Sequence, residues 1–168
     1  VANRTDLVQS KLCAHIWCEF IRPLMKETLK IGLTYRHTFT VSEKQTVPKF
    51  YPESDLFQAM PQVFATGYMV GLLEWACIEL LRPHINWPDE QTLGTHVNFS
   101  HEAPTLPGMT VTVDVTLVTI EGRKLSFSVK AHDGIDIIST GTHERVIIKQ
   151  EKFLERLEQR RKSIRKDN

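Results

Sequence analysis

The stretch VFATGYMVGLLEWACIELL, residues 63–81, is apolar around almost its whole circumference when it is drawn as a helix. A helix of this kind needs a sheet to cover it, because its apolar surface is stable only when it is buried. Glu74 lies near the middle, within about 60° of Gly67 and Gly71 on the helical wheel. Glycine costs about 1 kcal/mol relative to alanine in a helix, so the two glycines predict that a backbone or a ligand approaches this face closely.

The segments around this helix predict an α+β fold. Polar and apolar residues alternate over residues 33–41, which indicates a strand before the helix. After the helix the period changes to two, and four further strands are expected, at residues 92–101, 109–120, 124–132 and 137–149. Turn signals between the last three strands predict antiparallel hairpins. The predicted architecture is a long helix wrapped by an antiparallel sheet.

The ends of the chain predict two helical additions to this core. Apolar residues at spacings of three and four over residues 5–29 indicate an amphipathic helix, kinked at Pro23. We therefore divide the chain into an N-terminal helical extension (residues 1–30), a central domain (31–153) and a charged C-terminal helix and tail (154–168).

The segment from residue 42 to residue 61 contains three prolines and predicts a loop with a short helical turn. Its apolar members Val47, Phe50, Phe57 and Met60 form either a flap over a site or a small cluster under the loop.

Composition excludes several classes of function. Lys and Arg total 21 and Asp and Glu total 20, so no strong field favours nucleic acid or an anionic membrane. The three cysteines form neither a CxxC pair nor a disulfide framework, which indicates a reducing compartment: the cytoplasm, or an organelle if a targeting peptide has been removed ahead of Val1. The seven histidines show no zinc spacing, and no phosphate- or dinucleotide-binding motif is present, so neither a metal nor a cofactor is expected.

Three polar residues are candidates for chemistry. Glu74 is either a proton-transfer group or the partner of a buried Arg or His that holds the fold. Thr66, in the first helical turn, is either a helix cap or part of an oxyanion site, and local pattern favours the cap. His101 is the last residue of a predicted strand, and pattern alone gives it no role.

Five stretches carry a more specific pattern: YPESDLF, PQVFATGYMVGLLEWACIELL, LGTHVNFSHEAPTLPGMTVTV, EGRKLSFSVKAHDG and STGTHERVIIKQEKF. They closely resemble the fluoroacetyl-CoA thioesterase family of hot-dog-fold enzymes, in the same order and with nearly the same spacing. The resemblance extends from about residue 31 to residue 153.

This resemblance implies an acyl-CoA thioesterase that acts as a homodimer with acyl-CoA sites at the subunit interface. It assigns catalysis to Thr66, Glu74 and His101. It also implies that Gly94 lies near the acyl group and that Arg145 contributes to the pocket.

Helix geometry adds a constraint to the implied catalytic group. Thr66 and Glu74 are eight residues apart, so about 12 Å of helix axis separates them and they cannot share a hydrogen bond. Either the substrate spans this gap or the site is composite. We expect the composite site, in which one protomer supplies Glu74 and its partner supplies Thr66. Glu74 is expected to act as base or nucleophile, His101 as proton-transfer partner, and Thr66 to polarise or position the carbonyl.

The predicted lid departs from the family at one position. Val47, Phe50 and Phe57 fill the lid positions, but Met60 stands where fluoroacetyl-specific members have an aromatic residue. Since methionine fills irregular space, a larger or different acyl group is expected. Two rival hypotheses remain: a non-catalytic acyl-CoA sensor dimer, and an enoyl-CoA hydratase or dehydratase, whose usual Asp and His pair is not found.

Overall fold

One antiparallel sheet of five strands forms the framework of the molecule. The computed structural model describes residues 25–164. The strands lie in the order β1-β3-β4-β5-β2. Each agrees with a predicted strand to within two residues at either end, and their bounds are β1 Thr34–Thr40, β2 Glu90–Phe99, β3 Thr110–Glu121, β4 Lys124–His132 and β5 Ile137–Lys149.

The two predicted hairpins are confirmed. β3 pairs with β4 and β4 pairs with β5, both antiparallel. Gly122, with φ 59°, and Gly134, with φ 91°, occupy the left-handed region that these tight turns require. β2, which follows the long helix in the chain, pairs with β5. β1 and β2 are therefore the two edge strands of the sheet.

The segment between β1 and the long helix contains two short helices, α1 (Val47–Phe50) and α2 (Asp55–Gln58). A 3₁₀ turn at Glu43–Gln45 precedes them. Pro48 lies in the first turn of α1, where its missing N–H is not needed. Ser54 caps α2 by accepting a hydrogen bond from the Phe57 N–H at 3.4 Å. The sequence predicted a loop with one short helical turn, whereas the structure has a 3₁₀ turn and two short helices here.

The long helix α3 (Thr66–Leu81) packs against the sheet, as predicted. The side that faces the sheet buries seven residues: Met69, Leu72, Leu73, Ala76, Cys77, Leu80 and Leu81. These join Val113, Leu117 and Phe127 of the sheet in one hydrophobic core. On the opposite side, Tyr68 and Trp75 remain 36% and 44% exposed, so a single chain does not cover the whole helix.

A short turn begins the described residues and a helix ends them. Residues 25–29 form a turn. The Lys26 N–H donates a hydrogen bond to the His84 carbonyl at 3.1 Å, which holds this turn against the segment that follows α3. The helix predicted over residues 5–29 therefore does not include these five residues, and its remainder lies outside the described residues. A C-terminal helix, α4 (Gln150–Ile164), follows β5 directly and buries none of its residues. The predicted domain boundaries stay predictions.

No helix within residues 25–164 is long and apolar enough to cross a membrane.

We expect the two glycines of α3 to respond differently to alanine. Gly71→Ala should raise the free energy of unfolding by up to about 1 kcal/mol, because alanine favours the helix and a Cβ there meets nothing within 4 Å. Gly67→Ala should show no such gain, since its Cβ would lie 2.7 Å from Cε2 of Phe50 and displace that ring. Urea unfolding of both variants measures the difference. Equal stabilisation at both positions would contradict the placement of Phe50.

Candidate active site

Thr66 and His101 meet at the N-terminal end of α3. Oγ1 of Thr66 lies 2.8 Å from Nδ1 of His101, which follows β2 after a single intervening residue. The cap position of α3 is occupied by Ala65, which offers no side-chain hydrogen bond. The cap role that local pattern favoured for Thr66 is therefore wrong: Thr66 is the first helical residue, and its hydroxyl bonds the histidine instead.

The His101 imidazole is neutral near neutral pH. Partial burial lowers the pKa of His101, and a hydrogen bond with the backbone of Ala103 acts in the opposite direction. A neutral imidazole has one nitrogen that donates and one that accepts. The ring is therefore suited to moving a proton at the Thr66 hydroxyl.

Glu74 lies farther along α3 and faces the edge strand β2. Its Oε1 is 3.3 Å from Nε2 of His143 and 3.7 Å from Nη1 of Arg145, and its side chain is 34% exposed. The pairing with a buried Arg and a His, which was the structural alternative for Glu74, is thus present. The carboxylate nevertheless remains open to solvent, so the pairing does not remove its availability for chemistry.

Arg145 is a buried cation, and each of its three guanidinium nitrogens has one acceptor. Its Nε donates to Oγ1 of Thr92 and its Nη2 to the Thr92 carbonyl, both at 2.9 Å. Its Nη1 donates to Nε2 of His143 at 3.0 Å. Burial lowers the pKa of Arg145, and the charge of Glu74 acts in the opposite direction. Glu74 is thereby the acidic side chain that faces this guanidinium.

His143 was missed by the sequence analysis. It lies two positions before Arg145 on β5, and side chains two apart on a strand share a face. The period of β5 together with the assignment of Arg145 was the available signal. Burial lowers the pKa of His143, so its ring is also neutral near neutral pH.

Gly94 lies directly against the Glu74 carboxylate. A Cβ at position 94 would overlap Oε1 of Glu74 and lie 3.1 Å from Cε1 of His143. A bulge in β2 falls between Gly94 and His96, where the pairing with β5 shifts register. A side chain at this position would therefore displace the Glu74 carboxylate and press on the His143 ring of the same chain.

The four predicted lid residues lie on α1, on α2 and just beyond. The Phe50 ring covers Gly67 and packs edge-on against Tyr68, with ring centroids 5.0 Å apart. Phe57 lies 6.2 Å from Phe50, and Tyr51, which was not predicted, lies 5.0 Å from Phe57. These four rings form an aromatic cluster over the exposed side of α3.

The other two predicted lid residues lie at the margins of this cluster. The Val47 N–H bonds the Val63 carbonyl at 2.9 Å, which ties α1 to the segment before α3. Met60 is 47% exposed. The segment thus has its own apolar cluster, as the loop-cluster alternative predicted. That it is a flap over a site stays a prediction.

A small apolar cavity of about 220 Å³ lies beside the lid. It runs along the exposed side of α3 toward β1, and its lining includes Gly67, Tyr68, Gly71 and Trp75. Gly67 is the neighbour of Thr66 in the chain. The cavity includes neither Glu74 nor His101.

The predicted site residues form two groups in the single chain. Thr66 joins His101, and Glu74 joins Gly94 and Arg145. Within residues 25–164 no hydrogen bond or ion pair links the first group to the second. The helix spacing explains the separation, since eight residues of α3 extend about 12 Å.

Comparisons with known proteins identify the family of the chain. The family described as fluoroacetyl-CoA-specific thioesterase matches residues 41–151. A curated fluoroacetyl-CoA thioesterase from Streptantibioticus cattleyicolor is 48% identical over 136 residues, which cover 81% of this chain and 97% of the relative.

Solved structures give the same result for the fold. A threonine-to-alanine variant of a fluoroacetyl-CoA thioesterase, in complex with fluoroacetate, matches with a TM-score of 0.76 and 47% identity, covering 79% of this chain and 98% of that one. A hypothetical protein from Thermus thermophilus, a thioesterase superfamily member, matches with a TM-score of 0.71 and 29% identity, covering 88% and 100%. The predicted hot-dog fold is confirmed, and this chain belongs to the fluoroacetyl-CoA-specific thioesterase family.

Proposed function

We propose that this protein is an acyl-CoA thioesterase that hydrolyses a small acyl-CoA to the free acid and CoA. The observation that carries this proposal is the 48% identity to a fluoroacetyl-CoA thioesterase over 97% of that relative's length. The geometry supports it by supplying an accessible carboxylate beside a buried cation, and a neutral histidine bonded to a hydroxyl.

Glu74 is the base or nucleophile in this proposal. Its exposed fraction gives water and substrate access, and Nη1 of Arg145 lies 3.7 Å from its Oε1. As a base, the carboxylate takes a proton from water as the water oxygen adds to the thioester carbonyl. As a nucleophile, it adds to the carbonyl itself and forms an anhydride that water then opens. In both routes the C–S bond breaks and CoA leaves as the thiolate.

In this proposal Thr66 binds the substrate carbonyl oxygen and His101 transfers a proton. When Nδ1–H of His101 donates to Oγ1 of Thr66, the hydroxyl hydrogen is left to donate to the substrate carbonyl. The neutral ring keeps its other nitrogen as an acceptor, which suits a proton-transfer partner.

We propose that the complete site is composite and that a homodimer forms it. The spacing along α3 is too long for Thr66 and Glu74 of one chain to act on the same carbonyl. The outer edge of β2 supports an interface there, because Gly94 to Asn98 are exposed and Val97 is 41% exposed. Glu74 of one protomer would then work with Thr66 and His101 of its partner.

The acyl group is proposed to lie near the lid. The cavity beside Phe50 has about 220 Å³, less than the roughly 300 Å³ at which pockets for drug-sized ligands begin, so it suits a small group. Met60 adds a flexible, exposed side chain at the margin of the lid. Acyl groups other than fluoroacetyl are therefore part of the proposal.

We expect the purified protein to release free CoA from a short acyl-CoA. A panel of acetyl-, fluoroacetyl-, butyryl-, crotonyl- and benzoyl-CoA with a thiol reagent measures the release. A change in enoyl absorbance of crotonyl-CoA without free thiol would instead indicate hydration. Saturable binding without either change would indicate a sensor.

Glu74→Gln should reduce kcat by about 100-fold or more, since the amide neither accepts a proton nor attacks the carbonyl. Glu79→Gln is the matched control on the same helix, where the carboxylate faces Trp75 and Arg82 instead of Gly94. Circular dichroism should show both variants folded. Activity of Glu74→Gln equal to that of the control would remove Glu74 from the mechanism.

Mixed dimers test the composite site directly. Glu74→Gln and His101→Ala should each be inactive alone. Random pairing of the two variants should recover about a quarter of wild-type activity, because about half of the dimers are mixed and one of the two sites in each mixed dimer is intact. Co-expression of differently tagged chains followed by a CoA-release assay makes the measurement. If mixing recovers nothing while the tags show that the chains pair, each site is built from one chain.

A further inference from the structure

His143 lies beneath the proposed site without being one of its predicted residues. Its side chain is fully buried on β5 and packs between the rings of Phe99 and Phe127, with centroids 5.9 and 6.5 Å away. A buried polar ring of this kind is stable only when its nitrogens have partners.

Both ring nitrogens have partners whose chemistry fixes the proton. Nδ1 lies 2.7 Å from the His96 carbonyl, which only accepts, so Nδ1 carries the hydrogen. Nε2 lies 3.0 Å from Nη1 of Arg145, which only donates. Oε1 of Glu74 is farther away, at 3.3 Å, and within residues 25–164 no hydrogen bond joins it to Nε2. The shorter contact with Arg145 therefore assigns a lone pair to Nε2. The ring is therefore the neutral Nδ1–H tautomer.

This tautomer determines where the Arg145 guanidinium points. Thr92 accepts from Nε and Nη2, and His143 accepts from Nη1. The same Nη1 lies 3.7 Å from Oε1 of Glu74, so it is the part of the guanidinium that faces the carboxylate. Without the acceptor on His143, one guanidinium N–H in the interior would lose its partner, and only the two bonds to Thr92 would hold the guanidinium.

His143 also fixes the strand against which Glu74 lies. The His96 carbonyl that accepts from Nδ1 follows the β2 bulge, and Gly94 precedes it. One side chain thus connects the bulged edge strand, the buried cation and the carboxylate. The charged or titratable groups that face it are Arg145, Glu74 and His96.

We propose that His143 is a positioning residue for hydrolysis, which as a neutral Nδ1–H imidazole holds Arg145 and the bulge of β2 so that Glu74 stays over Gly94. This inference rests on the proposed thioesterase function. His143 acts through Arg145 and Glu74 and touches no substrate.

Two substitutions separate the two bonds of the ring. His143→Asn keeps a donor near the position of Nδ1 but leaves Arg145 without its acceptor. His143→Gln places an amide oxygen near the position of Nε2 but gives up the bond to the His96 carbonyl. We expect His143→Asn to lower kcat by about 10- to 100-fold with little change in KM, because a misplaced catalytic group slows chemistry more than binding. His143→Gln should recover part of that loss, because it restores the acceptor for Arg145 but not the bond to the β2 bulge.

The control is His132→Gln on the neighbouring strand β4, where the histidine lies outside the site. Thermal unfolding of all three variants is measured together with kcat and KM. A merely structural histidine would give Asn and Gln variants whose activity follows their stability, or a loss confined to KM. Either result, or full activity in His143→Asn, overturns the inference.

Imidazole ¹⁵N spectra test the tautomer without turnover. The His143 signals should show a proton on Nδ1 and none on Nε2. This pattern should persist as the pH falls below the ordinary histidine pKa of 6.5, since burial lowers the pKa of this ring. A protonated Nε2, or titration at the ordinary value, overturns the inference whether or not CoA is released. Wild type that releases CoA from no acyl-CoA would refute the proposed function alone, and these spectra would still decide the role of His143 in holding Arg145.

Discussion

The packing of α3 against the sheet is the constraint on which the remaining features depend. Each fully buried aliphatic side chain stabilises the fold by about 1.5–3 kcal/mol, so the seven buried residues of α3 outweigh the cost of Gly67 and Gly71. The same packing fixes the rotation of the helix about its axis. Glu74 then faces β2 at one side, and Trp75 faces β1 at the other, with its ring 4.6 Å from that of His37.

The two roles considered for Glu74 follow from one arrangement. A guanidinium as deeply buried as that of Arg145 is stable only if its hydrogen-bonding groups are satisfied and an opposite charge is near. Thr92 and His143 supply neutral acceptors, and Glu74 supplies the charge. Because the carboxylate compensates the cation from the margin of the core, it supports the fold and still faces solvent.

The sequence predicted the helices and strands more fully than the contacts between their side chains. Alternation located every strand of the sheet, since the side chains of a half-buried strand report its period directly. The N-terminal end of α3 was harder, because Thr66 has the chemistry of a cap and only the approach of His101 shows that its hydroxyl is used elsewhere. The partners of Glu74 come from a strand about 70 residues later, and no local pattern reports such a contact. Resemblance supplied Arg145, and strand period applied to it would have added His143.

The close approach of Gly94 to Glu74 bears on how hydrolysis and the choice of acyl group can change independently. The space above position 94 is already taken by the chain's own carboxylate and imidazole, so a larger residue there would displace Glu74, the proposed reacting group. The proposed lid is different, because Met60 is half exposed and Phe50 and Phe57 mainly contact other rings. On these proposed assignments, substitutions in α1 and α2 can change the acyl group without moving Glu74. Hydrolysis and substrate choice can evolve at different rates within this one small domain.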